Sequence, residues 1–245
     1  MCIRDRTICL PRNVVLSFPV ELIFESLNNI FEFNNNFKEV VVLSLYVSVF
    51  ATLISSIVSI YLASYMAIKN FPGKSIITLT FNSLMSLPPV VVGLILYIIF
   101  SSSGVLGFMD LLYSPFIMII AQFIIITPII ISLSLKSLND RYSLLSEYLN
   151  SLNTSKNKIR RTIVFESRYD LLIIIITGLS RALSEVGAVI IVGGNIDNLT
   201  RVMTTSIVLE TSRGELSLAL SLGISLIFIA VIMNLLILYI KNKLL

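Results

Sequence analysis

Histidine is absent from this chain. That excludes His-ligated metal sites and a histidine general base. Cys2 and Cys9 are the only cysteines. Both precede the first long apolar run, so neither a disulfide framework nor a cysteine metal site is expected. Charge is scarce too: Asp, Glu, Lys and Arg make up 13% of the residues and hydrophobic types 56%. A soluble domain carries about 25% charged residues. The shortfall excludes an ordinary soluble enzyme and points to a polytopic membrane protein embedded in a lipid bilayer. The net charge of +4 therefore does not argue for nucleic acid, because in a membrane protein the position of each Lys and Arg sets orientation. The opening MCIRDRTICLPR lacks the apolar block of a secretory signal and reads as a tail or a misassigned start.

Five apolar runs reach the roughly 20 residues needed to cross about 30 Å of hydrocarbon. They lie near 40–68, 76–100, 115–135, 171–194 and 216–240. The fold class is all-α, a membrane helix bundle with five core spans. Upstream, ELIFESLNNIFEF (21–33) is amphipathic and too short to span; it reads as an interfacial helix or a poorly ordered tail. Residues 1–37 form the tail and 38–245 the membrane domain. Lys69 and Lys74 lie between spans one and two, seven Lys or Arg between 136 and 170, and Lys241 and Lys243 after span five. The 101–114 connection has none. The positive-inside rule then puts the C-terminus in the cytoplasm and, with five spans, the N-terminus outside.

Small and hydroxylic residues recur at helical spacing. Span one carries Ser44, Ser48, Thr52, Ser55 and Ser59; span five carries Ser217, Ser221 and Ser225 beside Ala219 and Gly223. Such stripes let membrane helices approach and bond across the contact, so they predict a bundle and say nothing about substrate. Pro88 and Pro89 interrupt span two, and Thr127-Pro128 interrupts span three. Proline frees carbonyls one turn back, which membranes tolerate where helices pack or a cavity opens. Pro88 and Pro89 are thus candidates for a pathway-lining element or a kink.

FPGKS at 71–75 suggests a phosphate-binding loop, but Ile68 stands where that motif needs glycine. No ATP site or other cofactor site is expected in the chain. The 136–170 loop is more informative. SLLSEYLNSLN (143–153) sets Leu144, Leu145, Tyr148, Leu149 and Leu152 on one helical face. Asn153 stands where that helix should end, and a second helical stretch carries Ile159 and Ile163. An amphipathic cytoplasmic helix must lie on the bilayer or fill a groove in a partner.

This loop resembles the coupling loop of the membrane subunits of ABC importers. Glu147 stands at the glutamate of the family's Glu-Ala-Ala pattern, Tyr148 and Leu149 replace the alanines, and Asn153 replaces the glycine. Ile163 keeps its place; Phe165 and Glu166 replace Leu and Pro. SLMSLPPVVVGLILYIIFSSSGVLG (83–107), the Gln122 to Pro128 stretch, RALSEVGAVIIVGGNI (181–196) and TRVMTTSIVLETSRGELSLALSLG (200–223) are similar to the tungstate-type branch of the molybdate/tungstate importers. The molybdate branch usually reads Glu-Phe-Gly-Ala where this chain has Glu185-Val186-Gly187-Ala188. The resemblance implies a homodimer of this subunit, two ATPase subunits that use the ATP, and an extracytoplasmic oxyanion-binding protein. It implies that a coupling helix, with Glu147, Tyr148, Leu149, Asn150, Leu152, Asn153 and Thr154, contacts the ATPase. By the resemblance the polar segment GGNIDNLTRVMTTSIVLETSRGE (193–215) would form part of an outer gate facing the binding protein; an ordinary re-entry loop is the other reading. The implied function is import of an oxyanion, tungstate first, with molybdate or sulfate as the alternative. A membrane-embedded enzyme or a channel is the competing class, but an enzyme should show clustered ionisable groups.

Only Arg181 and Glu185 stand as charges inside a span. One intramembrane charge costs about 2.5–3.5 kcal/mol on insertion scales. At i and i+4 the two can pair on one face. Arg181 lies about ten residues into span four, roughly 15 Å along a helix. Arg181, Ser184, Glu185 and Gly187 are candidates for the translocation path or its gate; a pair that only fixes packing is the other reading. On either, Arg181→Ala alone should be more harmful than Arg181→Ala with Glu185→Ala, because the single change strands a buried carboxylate.

Overall fold

The computed structural model describes Ser26 and residues 35–69, 71–151 and 154–244. Among them the regular structure is helical and there is no strand. The first helix, α1 (Asn35–Ile68), runs without Pro or Gly until Pro72 and Gly73 stop it. Gly73 takes the left-handed conformation (φ 91°), and α2 (Lys74–Leu84) starts from it. Then come α3 (Pro89–Phe100), a short 3-10 turn (Gly107–Met109), α4 (Pro115–Ser151), α5 (Lys156–Glu166) and α6 (Arg168–Leu183). The chain finishes with α7 (Gly187–Gly193), α8 (Met203–Arg213) and α9 (Leu216–Leu244).

Among the described residues three helices are long and apolar enough to cross a bilayer alone: Phe37–Ile68, Pro115–Leu149 and Leu216–Lys243. The other two expected spans are broken. Lys74–Leu84 and Pro89–Phe100 meet at 96°, and Arg168–Leu183 and Gly187–Gly193 meet at 57°. Counting each bent pair once gives the five spans, but spans two and four are not the continuous helices that 76–100 and 171–194 implied. The first break follows from proline stereochemistry. A residue before proline is pushed out of the α region, and Pro88 is extended (φ −63°, ψ 121°) while Pro89 opens α3. Proline suits that first position because its missing N–H would be unbonded anyway. Pro88-Pro89 therefore ends one helix and starts another, where a kink would have kept one helix going. Pro128, by contrast, stays inside α4.

The cytoplasmic-loop reading also changes. Residues 143–151 form no separate helix; they are the last turns of α4, whose 37 residues extend roughly 55 Å at 1.5 Å each. Nothing between Pro128 and Ser151 breaks a helix, since that stretch has no Gly or Pro. The interfacial helix expected at 21–33 lies outside the described residues except Ser26. Ser26 is helical and buried, and its hydroxyl donates to the Ser217 carbonyl at the start of α9 (3.1 Å).

The bundle is built on α1 and α4, which pair along their length, with α6 against both. Ala51 of α1, Ile117, Ala121 and Ile130 of α4, and Ala188 of α7 are fully buried in one core. The α1 hydroxyl stripe faces this contact. Ser55 Oγ meets Thr127 Oγ1 at 3.0 Å, and Ser59 donates to the Thr127 carbonyl at 3.3 Å, beside Pro128. The α9 stripe is only half used: Ala219 and Ser221 are buried, while none of the most apolar window of α9 is buried.

Candidate functional site: the junction of the two broken spans

The two breaks pack on each other. α7 lies against α3, and the approach is too close for side chains at the crossing. A Cβ on Gly93 would sit 2.8 Å from Ala188 Cα, and one on Gly187 would sit 2.6 Å from Val90 Cγ2. Glycine is required here by contact, not by backbone angle.

Breaking a helix leaves backbone groups unpaired, and in a membrane they need partners from within the protein. At the break between α6 and α7 three side chains supply them. Glu185 Oε1 accepts from the Gly187 and Ala188 N–H groups (3.0 and 3.4 Å), capping α7. Negative charge at a helix start is also favoured by the peptide dipoles. Thr204 of α8 donates to the Glu185 carbonyl (2.9 Å). Gln122 of α4 donates to the Ala182 carbonyl (3.1 Å) and to Ser48 Oγ of α1 (3.4 Å). Ser44 of α1 accepts from the Met203 N–H at the start of α8 (2.7 Å). One polar node thus ties α1, α4, α6, α7 and α8 together.

Arg181 Nη1 lies 3.4 Å from Glu185 Oε2, with side-chain exposures of 42% and 5%. The two candidates therefore do different work. Glu185 is buried and serves the backbone, whereas Arg181 keeps a face open. Ser184, whose hydroxyl donates to the Arg181 carbonyl (3.0 Å), is exposed as well. Pro88 is exposed and Pro89 half-buried. Next to Ser184, α6 and α9 border an apolar cavity of about 110 Å³ lined by Leu183, Ser184 and Ala230.

The expected coupling segment divides. Leu149 is buried and Leu145 packs against the core, but Leu144 and Tyr148 are 76% and 66% exposed. Glu147 is exposed, and Asn150 lies within α4. Leu152 and Asn153 lie outside the described residues; Thr154 follows, its hydroxyl donating to the Leu149 carbonyl (2.9 Å). Then α5 buries Ile159 and Ile163. Arg141 pairs with Asp170 at 3.4 Å, bracing the end of α4 against α6.

Two contributors to the node, Gln122 and Thr204, were not singled out from sequence, and Ser44 was read only as part of a packing stripe. Gln122 had a visible signal, a lone amide in the run PFIMIIAQFIII. Thr204 had none of comparable strength. The 193–215 segment also contains a helix, α8, whose first residues Met203 to Ser206 are buried. Nearby, the Tyr113 N–H donates to the Val192 carbonyl (3.0 Å), pinning the 101–114 connection to α7. Among the described residues no group of acidic, His or Cys side chains has the arrangement of a metal site.

No protein-family model matches the chain. Known proteins do. The chain is 42% identical over 195 residues to the tungstate uptake system permease protein TupB of Peptoclostridium acidaminophilum, covering 80% of this chain and 86% of that protein. It is 37% identical over 194 residues to the protein of the same name from Campylobacter jejuni, covering 75% and 80%. A probable anion ABC transporter permease protein of Haloferax volcanii is 33% identical over 196 residues, covering 78% and 84%. With apolar helices that make it a multi-pass membrane protein, the chain belongs to the ABC-transporter permease family, in the branch of the tungstate uptake permeases.

Proposed function

We propose that this chain is the membrane subunit of an ATP-driven importer that carries tungstate into the cytoplasm. The observation that carries the reading is the likeness, over three quarters or more of the chain, to two permeases named for tungstate uptake. The chain itself does no chemistry. ATP is used by separate ATPase subunits, and tungstate arrives on an extracytoplasmic binding protein.

The end of α4 is where force from the ATPase enters. The helix is roughly 55 Å long, well beyond the hydrocarbon, and it presents Leu144, Glu147 and Tyr148 to solvent. An exposed Leu and Tyr one turn apart on a rigid helix suit a groove in a partner. The Arg141–Asp170 pair links this end to α6, which runs to the broken junction. Lys69, Lys136, the α5 arginines and Lys241 support a cytoplasmic location for this end by the positive-inside rule, and with five spans an outside N-terminus.

The open face of Arg181 supports a second copy of the chain and a path between the copies. A guanidinium at mid-span costs several kcal/mol against lipid. It must face water or protein. Two facing copies cover the exposed apolar surface of α9 and enclose Arg181 and Ser184 around a polar path. Arg181 offsets the oxyanion's charge in passage, and Glu185 keeps that attraction weak enough for release. The polar segment that carries α8 faces the binding protein.

The test is uptake by cells expressing this chain with its neighbouring ATPase and binding protein. Tungstate should accumulate only with ATP, and excess molybdate or sulfate should inhibit weakly. Equal competition by molybdate would replace tungstate selectivity with a general oxyanion importer. No uptake by an assembled complex would refute the cargo.

A further inference from the structure

A groove of about 730 Å³ opens between α1, α5 and the first turns of α6. Its floor is apolar, with Leu53, Ile57 and Val164, and Ile57 is 73% exposed. Its rim carries three guanidinium groups, Arg160, Arg161 and Arg168. None of the three has a carboxylate within ion-pair distance among the described residues. Instead two of them lie on rings: Arg160 over Tyr61 at 5.2 Å, Arg168 over Phe165 at 4.4 Å and Tyr169 at 4.5 Å. Stacking, with a hydrogen bond from Arg168 to the Phe165 carbonyl (2.9 Å), holds these two guanidinium groups without a countercharge.

We infer that this groove binds one anionic phospholipid, its phosphate on the arginine rim and an acyl chain along Leu53 and Ile57. The order of chemistry along the groove carries the assignment. Arg168 opens α6, at the edge of the fourth span. From Tyr61 to Leu53 the floor runs eight residues deeper into α1, roughly 12 Å along the helix. Positive charge at the membrane edge above an apolar channel matches a phospholipid end to end. A soluble partner could reach the rim but not a floor at hydrocarbon depth. A small inorganic anion would satisfy the rim and leave the floor bare.

The test uses the purified complex of this chain with its ATPase in mild detergent, titrated with phosphatidylglycerol or phosphatidylcholine and read by native mass spectrometry. Each arginine near an anionic headgroup is worth about a fivefold change in binding. The Arg160→Gln/Arg161→Gln/Arg168→Gln variant should therefore lose phosphatidylglycerol affinity by roughly a hundredfold, and phosphatidylcholine should bind weakly throughout. Lys241→Gln/Lys243→Gln, which removes charge elsewhere, should bind as the parent does. Unchanged phosphatidylglycerol binding in the arginine variant would overturn the site. So would an equal loss in the lysine control, or displacement of the lipid by millimolar glycerol 3-phosphate, which shares the headgroup but lacks chains. Loss of the ATPase subunit with lipid retained would assign the arginines to a protein contact instead. Should the arginine variant not fold, Ile57→Trp, which fills the floor and keeps the charges, decides: reduced phosphatidylglycerol binding supports the site, and unchanged binding overturns it.

Discussion

Replacing Glu185 tests the junction directly, because the structure separates its two jobs. Oε1 accepts two backbone N–H groups of α7 and Oε2 faces Arg181. Glu185→Ala removes both. A buried donor left without a partner costs about 1–3 kcal/mol; the 3.0 Å bond should dominate and the 3.4 Å bond add little. The expected loss is about 2–3 kcal/mol. Glu185→Gln keeps a carbonyl oxygen for the cap and loses only the charge, about 1 kcal/mol. Arg181→Ala breaks an ion pair that is 42% exposed on the arginine side, worth about 0.5–1 kcal/mol after solvent screening. Adding Glu185→Ala to it then destabilises further, since the cap goes too. This reverses the order expected from sequence, where Arg181→Ala alone was to be worse than the double change. Glu185 is not stranded without Arg181, because the backbone of α7 still holds it. Heating the detergent-solubilised variants while following helicity at 222 nm gives the ranking. The ranking from most to least stable should be parent, then Arg181→Ala or Glu185→Gln, then Glu185→Ala and the double variant together, because Glu185→Ala already removes the ion pair. A double variant more stable than Arg181→Ala, or Glu185→Ala equal to Glu185→Gln, would refute the capping role.

Gly93→Val forces a side chain into Ala188 Cα and should cost about 1–3 kcal/mol, read as a lower melting temperature; an unchanged melt would mean that α3 and α7 can separate freely. Gln122→Leu removes bonds to Ala182 and Ser48 and should cost about 0.6–1.7 kcal/mol, from the average to the maximum measured for polar contacts between membrane helices; a stabilised variant would contradict its place in the node. Glu147→Ala with Asn150→Arg should leave membrane insertion and α4 intact and abolish uptake, and normal uptake would remove this segment from the coupling contact.

Much of this was legible because hydrophobic length and helical spacing survive tertiary context. The α1 serines were readable as a packing stripe, and Ser55 and Ser59 do meet Thr127. Element ends were less legible. The periodicity at 143–151 is helical, but the charges that mark the exit from the membrane do not end a helix, so α4 simply continues. Pro88-Pro89 announced a break, though not its 96° turn. The second break lacks proline. It exists because Glu185, Thr204 and Gln122 satisfy its backbone, and two of those three are distant in sequence. For the same reason α8 was hidden: Met203 and Thr204 are buried by contacts with Ser44 and Glu185 that no local pattern announces. Arg181 and Glu185 were visible as a pair; their unequal burial was not.

The most direct test of the central claim is ATP hydrolysis by the complex reconstituted in nanodiscs. Tungstate-loaded binding protein should accelerate hydrolysis severalfold over the unloaded protein, and the Glu147→Ala/Asn150→Arg permease should lose that acceleration while keeping the ATPase bound. Acceleration that survives those substitutions, or that needs no tungstate, would contradict a permease that couples the ATPase to tungstate passage through the end of α4.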